Sequence, residues 1–192
     1  MFGRTKGPKT LRKQSEPSEE RMTQSILEGK RLLAVDDEPD VLDTLEDLLD
    51  DIKDLTLDRA TDYETGYQLL RSWTYDLVIL DIMGVRGFDL LNAAVHLGFP
   101  AVMLTAHAVS VDALKNSIEL GARAYLPKER MTEIVPFLED VLGMSRAAGW
   151  QRVFKRLGGF FDTTFGASWQ KSHKDFWQQV QEGKYEPSIL KK

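Results

Sequence analysis

The chain has no cysteine, which excludes disulfide staples and any thiolate metal site. Histidine is nearly as scarce. Three residues, His96, His107 and His173, are scattered too widely in sequence to suggest an imidazole cluster. No apolar run approaches the roughly 20 residues that span a bilayer, and the first residues lack the apolar centre of a signal peptide. These absences lead us to expect a soluble, cytoplasmic protein. Basic residues are thin in the middle of the chain, where residues 32–144 hold 8 Lys and Arg against 22 Asp and Glu. The flanks reverse this, with 8 against 4 over residues 1–31 and 9 against 4 over residues 145–192. An acidic centre argues against nucleic-acid binding there and suits a cation site.

The most informative stretch is Tyr75 to Met83, YDLVILDIM. Four apolar residues, Leu77 to Leu80, run into Asp81, as in a strand buried on both faces of a parallel sheet. A lone buried carboxylate is costly, so Asp81 is expected where the strand ends and the core opens. Ligands and chemistry collect at that edge of open α/β sheets.

The rest of the chain repeats this pattern. Residues 1–29 are polar and aperiodic, and are expected to be disordered or loosely helical. Arg31 to Val35 reads as a strand running into Asp36-Asp37-Glu38-Pro39, after which Val41, Leu42, Leu45, Leu48, Leu49 and Ile52 share a helical face. Leu55 to Ala60 reads as a second strand. A helix capped by Thr61 or Asp62 follows, with Tyr67, Leu70 and Trp73 inward. After the Asp81 strand come a short loop from Gly84 to Gly87 and a helix from about Phe88 to Leu97, stopped by Gly98. Ala101 to Thr105 is a fourth strand, and Ser110 caps a helix over Val111 to Leu120. Arg123 to Leu126 is a fifth strand. The last helix spans about Met131 to Leu142, with a delayed start or kink at Pro136. Five strand–helix alternations define a doubly wound α/β domain with a five-stranded parallel sheet over residues 30–144.

Asp36, Asp37 and Asp81, Thr105 and Lys128 all follow or end strands, so the sheet brings them to one edge. Three crowded carboxylates repel unless a cation sits among them. An all-oxygen site without Cys or a His cluster points to Mg²⁺. Such a set can bind a phosphoryl group and stabilise its transfer. Taken singly, Asp36 to Pro39 could merely cap a helix, and a strand-terminal Thr is common. The specificity lies in the combination.

In these residues the chain resembles the receiver domain of two-component response regulators, a flavodoxin-like fold. The resemblance implies that Asp81 is the phosphoacceptor and that Asp36, Asp37, Asp81 and the Met83 backbone carbonyl hold Mg²⁺. It implies that Thr105 hydrogen-bonds the phosphoryl group, that Lys128 pairs with it, and that Tyr125 changes rotamer with Thr105 as a switch. Met83 and His107 would flank the phosphoryl group and set how fast water reaches it. A histidine kinase or phosphotransfer protein would be the donor, and an unidentified protein the downstream partner. Homodimerisation through the fourth and fifth helices is a family expectation. The chain would not be an enzyme on external substrate, being limited to Mg²⁺-dependent self-phosphorylation and autodephosphorylation. Two loops depart from the family pattern. Proline precedes Lys128, as Pro127, instead of following it, and permits a cis Leu126–Pro127 bond without requiring one. The loop after Asp81 is shorter and lacks proline.

Two other readings compete: a phosphorylation-independent scaffold with a degenerate receiver, and a haloacid-dehalogenase-type phosphatase. The second wants an aspartate where Met83 stands. Residues 145–192 are too few for a typical output domain, and no helix-turn-helix pattern is evident. They hold three of the four tryptophans and form a basic, aromatic-rich helical extension. Its aromatics are expected to pack back on the receiver or on each other, with docking to a partner protein or an anionic membrane surface as the alternative.

Overall fold

The computed structural model describes residues 25–106 and 110–190. Five parallel strands, β1 (Arg31–Val35), β2 (Thr56–Ala60), β3 (Leu77–Asp81), β4 (Ala101–Thr105) and β5 (Ala124–Pro127), lie in the order β2-β1-β3-β4-β5. β3 and β4 are buried at every residue, which explains why their sequences are continuously apolar and do not alternate. The helices α1 (Pro39–Leu49), α2 (Tyr63–Ser72), α3 (Gly87–His96), α4 (Val111–Glu119) and α5 (Ile134–Gly143) connect and follow them. α1 packs beside α5, and α2 beside α3.

The local signals act as their chemistry dictates. Asp62 caps α2 by accepting from the Thr65 amide at 2.9 Å, and Ser110 caps α4 through the Ala113 amide. Pro39 opens α1, where a missing N–H is tolerated. Pro136 delays α5: a 3₁₀ turn covers Lys128–Glu133, and the proline falls in the first turn of the α-helix that follows. Leu126–Pro127 is trans, as is every peptide bond among the described residues.

Two expectations need correction. Trp73 is not inward but 52% exposed. It caps α2 in an extended conformation, so it leaves the helical phase that buries Leu70, and the Arg31 guanidinium covers its ring at 4.1 Å. The expected boundary at Lys30 also cuts into the core, because Leu27, in a turn ahead of β1, is fully buried there. Most of the expected N-terminal arm, residues 1–24, lies outside the described residues, as does His107.

The C-terminal extension folds onto the sheet's β5 side. It comprises α6 (Arg146–Phe165), a 3₁₀ turn (Trp169–His173) and α7 (Lys174–Gln181). α6 packs against β5 and α5, with Trp150, Val153, Leu157 and Phe161 buried. Arg152 and Arg156 both reach Asp140 of α5 at 3.0 Å. Lys115 of α4 lies over the Phe176 ring. The aromatic side is therefore turned inward, partly against the receiver, where Phe161 meets Tyr125, and largely against its own rings, as in Phe154–Trp169 and Trp169–Trp177. The Trp150 indole donates to the Ala122 carbonyl at 2.9 Å in a buried bond. Replacing Trp150 with Phe keeps most of the apolar contact but leaves that carbonyl unpaired. We expect a loss of about 1–2 kcal/mol in urea denaturation of the full chain.

Candidate functional site

β1 and β3 are neighbours, and the strand order reverses between them, which opens a crevice beyond their carboxyl ends. Val35 is level with Leu80, so the next residues, Asp36 and Asp81, emerge side by side. Ligand oxygens of Asp36, Asp37 and Asp81 all lie within 4.8 Å of one another. Asp36 and Asp81 are buried, while Asp37 faces solvent. The sheet thus brings together the three carboxylates expected from sequence.

Each carboxylate is held from a different side. Asp81 Oδ2 accepts from the Met83 amide at 2.7 Å and from the Gly84 amide at 3.2 Å. Asp36 Oδ1 accepts from the Glu38 amide at 3.0 Å, which ties the acidic run to the start of α1. Lys128, one residue beyond β5, reaches Asp36 Oδ2 and Glu38 Oε1 at 2.8 Å each and Asp81 Oδ1 at 3.1 Å. Burial opposes the Lys128 charge, but the hydrogen bonds to Asp36, Glu38 and Asp81 outweigh it and hold the ammonium well above its ordinary pKa. Burial raises the Asp36 carboxyl; Lys128 opposes this, and the nearby Asp81 charge adds to it.

A divalent cation suits this set. The donors are hard oxygens, and Asp36 Oδ2, although close to Lys128, has no hydrogen bond of good geometry despite being buried. One ammonium among three carboxylates leaves negative charge uncompensated. Asp36, Asp37 and Asp81 would hold the ion.

The short loop after β3 explains its own glycines. A Cβ on Gly84 would lie 2.0 Å from the Asp37 carboxyl group, and one on Gly87 would lie 1.8 Å from the Asp81 carbonyl oxygen. The loop is therefore packed directly against the site. Gly84→Ala should displace Asp37 and weaken Mg²⁺ affinity, by about 10-fold or more if one ligand is lost, in a fluorescence titration. Arg86, in the left-handed region at φ 55°, completes the loop with its guanidinium over the Tyr63 ring and paired with Asp89.

Thr105 ends β4 and is buried. Its hydroxyl donates to the Ala106 carbonyl at 3.1 Å. Burial pushes the Tyr125 hydroxyl above its ordinary pKa, and the nearby Thr105 hydroxyl opposes this only in part. Tyr125 is already inward, 1% exposed, with its ring edge-on to Phe161 of α6 at 6.1 Å. The Met83 side chain is 74% exposed beside the site. Sequence reasoning missed Glu38 as a partner of Lys128; the signal available was a third acid directly after Asp36 and Asp37. It also missed the steric role of Gly84.

Comparison with known proteins agrees with this arrangement. A family model described as the response regulator receiver domain matches residues 32–137. The transcriptional regulatory protein DltR of Streptococcus agalactiae is 35% identical over 102 residues, covering 51% of this chain and 45% of that protein. A two-component response regulator of Arabidopsis thaliana is 36% identical over 104 residues, covering 52% of this chain and 16% of its own length. The matched segment is thus less than half of either relative. A putative response regulator from Chloroflexus aurantiacus, known from its crystal structure, superposes with a TM-score of 0.53 at 28% identity, over 60% of this chain and 98% of the other. With its 2-1-3-4-5 sheet, its acidic crevice and this match over more than half its length, the chain belongs to the response regulator receiver domain family of two-component signalling.

Proposed function

We propose that this chain is a phosphorylation-dependent switch whose Asp81 accepts a phosphoryl group from a histidine kinase or a histidine phosphotransfer protein. The observation that carries the reading is the convergence of Asp36, Asp37 and Asp81 with Lys128 at the β1–β3 crevice. In the transfer, an Asp81 carboxylate oxygen bonds to phosphorus while the P–N bond to the donor imidazole breaks, its electron pair leaving with the imidazole. The Met83 and Gly84 amides fix the Asp81 side chain for that approach. Lys128 supplies positive charge, and Thr105 a hydroxyl donor, to the phosphoryl oxygens. Asp36, Asp37, Asp81 and the Met83 carbonyl are the groups assigned to Mg²⁺, which when bound would neutralise charge on those oxygens.

Met83 and His107 are proposed to flank the phosphoryl group and meter water. The chemistry is confined to this chain's own phosphorylation and its reversal, without an external substrate. Output is proposed to run through protein contacts in the cytoplasm. Among the described residues no helix is long and apolar enough to cross a membrane. The test is incubation with Mg²⁺ and a small-molecule phosphodonor, followed by phosphate-affinity electrophoresis. Wild type should shift, and Asp81→Asn or chelated samples should not. A scaffold with a lapsed site would show no Mg²⁺-dependent shift in any of them.

A further inference from the structure

The start of α6 gathers positive charge with little to balance it. Arg146 and Ala147 open the helix, so their amides have no carbonyl of their own helix to bond. The first turn carries no acidic residue, and an arginine stands at the end of the helix that favours anions. A second arginine packs beside it. Arg123, just ahead of β5, donates through Nη1 to the Met144 carbonyl at 3.2 Å, and its own carbonyl is 3.3 Å from where a Cβ on Gly149 would lie.

Neither guanidinium is fully used. The Nε atoms of Arg123 and Arg146 are both buried without a hydrogen-bond partner. Arg123 spends Nη1 on the Val141 and Met144 carbonyls at the end of α5. Arg146, half-buried, makes no hydrogen bond or ion pair among the described residues. Burial and the Arg123 charge lower its pKa, and Glu186 opposes them. Two such groups side by side cost stability unless an anion joins them.

There is room for one. Arg146 lines a cavity of about 240 Å³ between α6 and the segment that follows α7. Ala147, Tyr185, Pro187 and Leu190 give it apolar walls, and Glu186 lines it without an ion pair to Arg146. The walls are held in place. The Tyr185 ring is edge-on to Phe176 at 4.7 Å, and a Cβ on Gly183 would lie 3.4 Å from that of Ala147. Two guanidiniums against one carboxylate leave a single positive charge, to which the helix end adds. A monoanion balances that charge, and a planar carboxylate matches the guanidinium fork. Apolar walls around a few polar groups suit a ligand with an apolar body.

We propose that this cavity binds a small organic monocarboxylate, its carboxylate on Arg146 and its apolar body against Tyr185, Pro187 and Leu190. Arg123 and the start of α6 add positive charge. The site joins the receiver to its C-terminal helices and shares no residue with the acidic crevice.

The test is a ¹H–¹⁵N NMR titration of the full chain that follows the Arg146 Nε–H group and the Ala147 and Gly183 amides. Benzoate is the probe, with benzamide as its neutral counterpart and inorganic phosphate as the competing anion. Benzoate should give saturable shifts at these positions, benzamide none, and phosphate weaker binding than benzoate. Arg146→Gln should weaken benzoate binding by about 10-fold or more, the scale for losing hydrogen bonds to a charged group. Glu186 is exposed, so Glu186→Gln leaves the packing alone. It should tighten binding by about 2-fold or more, because a like charge leaves the cavity. Absence of saturation by benzoate in wild type overturns the site, as does wild-type affinity in Arg146→Gln. Equal binding of benzamide overturns recognition by charge, and unchanged or weaker binding in Glu186→Gln overturns the charge balance. Phosphate binding as tightly as benzoate overturns the choice of a carboxylate.

Discussion

Lys128→Ala, measured without Mg²⁺, should lower the stability of the full chain by about 3–5 kcal/mol, the scale for stripping a buried charge of its partner. Lys128 is the cation that faces Asp36 and Asp81, and both carboxylates are almost fully enclosed. Truncation leaves them facing each other and Asp37 within 4.8 Å. The pH dependence follows from the direction of the Asp36 shift. Its carboxyl is raised in the folded state by burial, with Lys128 opposing that rise. The folded state therefore binds the proton more tightly than the unfolded chain. Stability falls as pH rises from the ordinary aspartate range through the folded value, and recovers on acidification. Removing Lys128 widens that window, so the variant should regain stability in mild acid more than wild type does. Saturating Mg²⁺ should rescue much of the loss at neutral pH, since the ion supplies the missing charge. Urea denaturation at two pH values, with and without Mg²⁺, checks all three parts. A variant as stable as wild type without Mg²⁺ would mean that the carboxylates are relieved in some other way.

Phe161→Ala carries the second large effect. Phe161 is fully buried and makes ring contacts with Tyr125, Phe154, Phe165 and Trp169. Deleting a phenyl group from such a place removes its transfer free energy and leaves a cavity, together about 3–5 kcal/mol. Most of the loss should fall on the docking of α6 and α7 and less on the sheet, since the lost contacts lie at that junction. The expected signature is a tryptophan-fluorescence transition, dominated by Trp150, Trp169 and Trp177, at lower urea than in wild type. The far-ultraviolet circular dichroism of the receiver should melt later than that transition. A single coincident transition would instead make arm and receiver one cooperative unit.

The sheet and its edge were readable from sequence because one physical rule governs both. An apolar run that ends in a carboxylate has to surface where the carboxylate can be satisfied, and Val35-Asp36 and Leu80-Asp81 obey it on adjacent strands. Helix starts at Asp62 and Ser110 were readable because their caps are local chemistry. Trp73 was misplaced because α2 ends one residue before it, and helical phase has no meaning past the cap. Leu27 was missed because the short pair Ile26-Leu27 in a polar stretch has no periodicity. Glu38 was hidden because it meets Lys128 across 90 residues of sequence, which no spacing rule connects. The aromatic face of the C-terminal helices was evident as a pattern, but a pattern states only that a face is covered. That it is covered by α4, β5 and α5, with Phe161 against Tyr125, depends on tertiary placement alone.

The central claim is that Asp81 becomes an acyl phosphate, and reductive trapping tests it most directly. The full chain is incubated with Mg²⁺ and a small-molecule phosphodonor, treated with borohydride and mapped by peptide mass spectrometry. An acyl phosphate at Asp81 is reduced to the alcohol, so the account predicts homoserine at position 81, dependent on Mg²⁺ and confined to that residue. Aspartate recovered unchanged at position 81, or homoserine at Asp36 or Asp37 in its place, would contradict it.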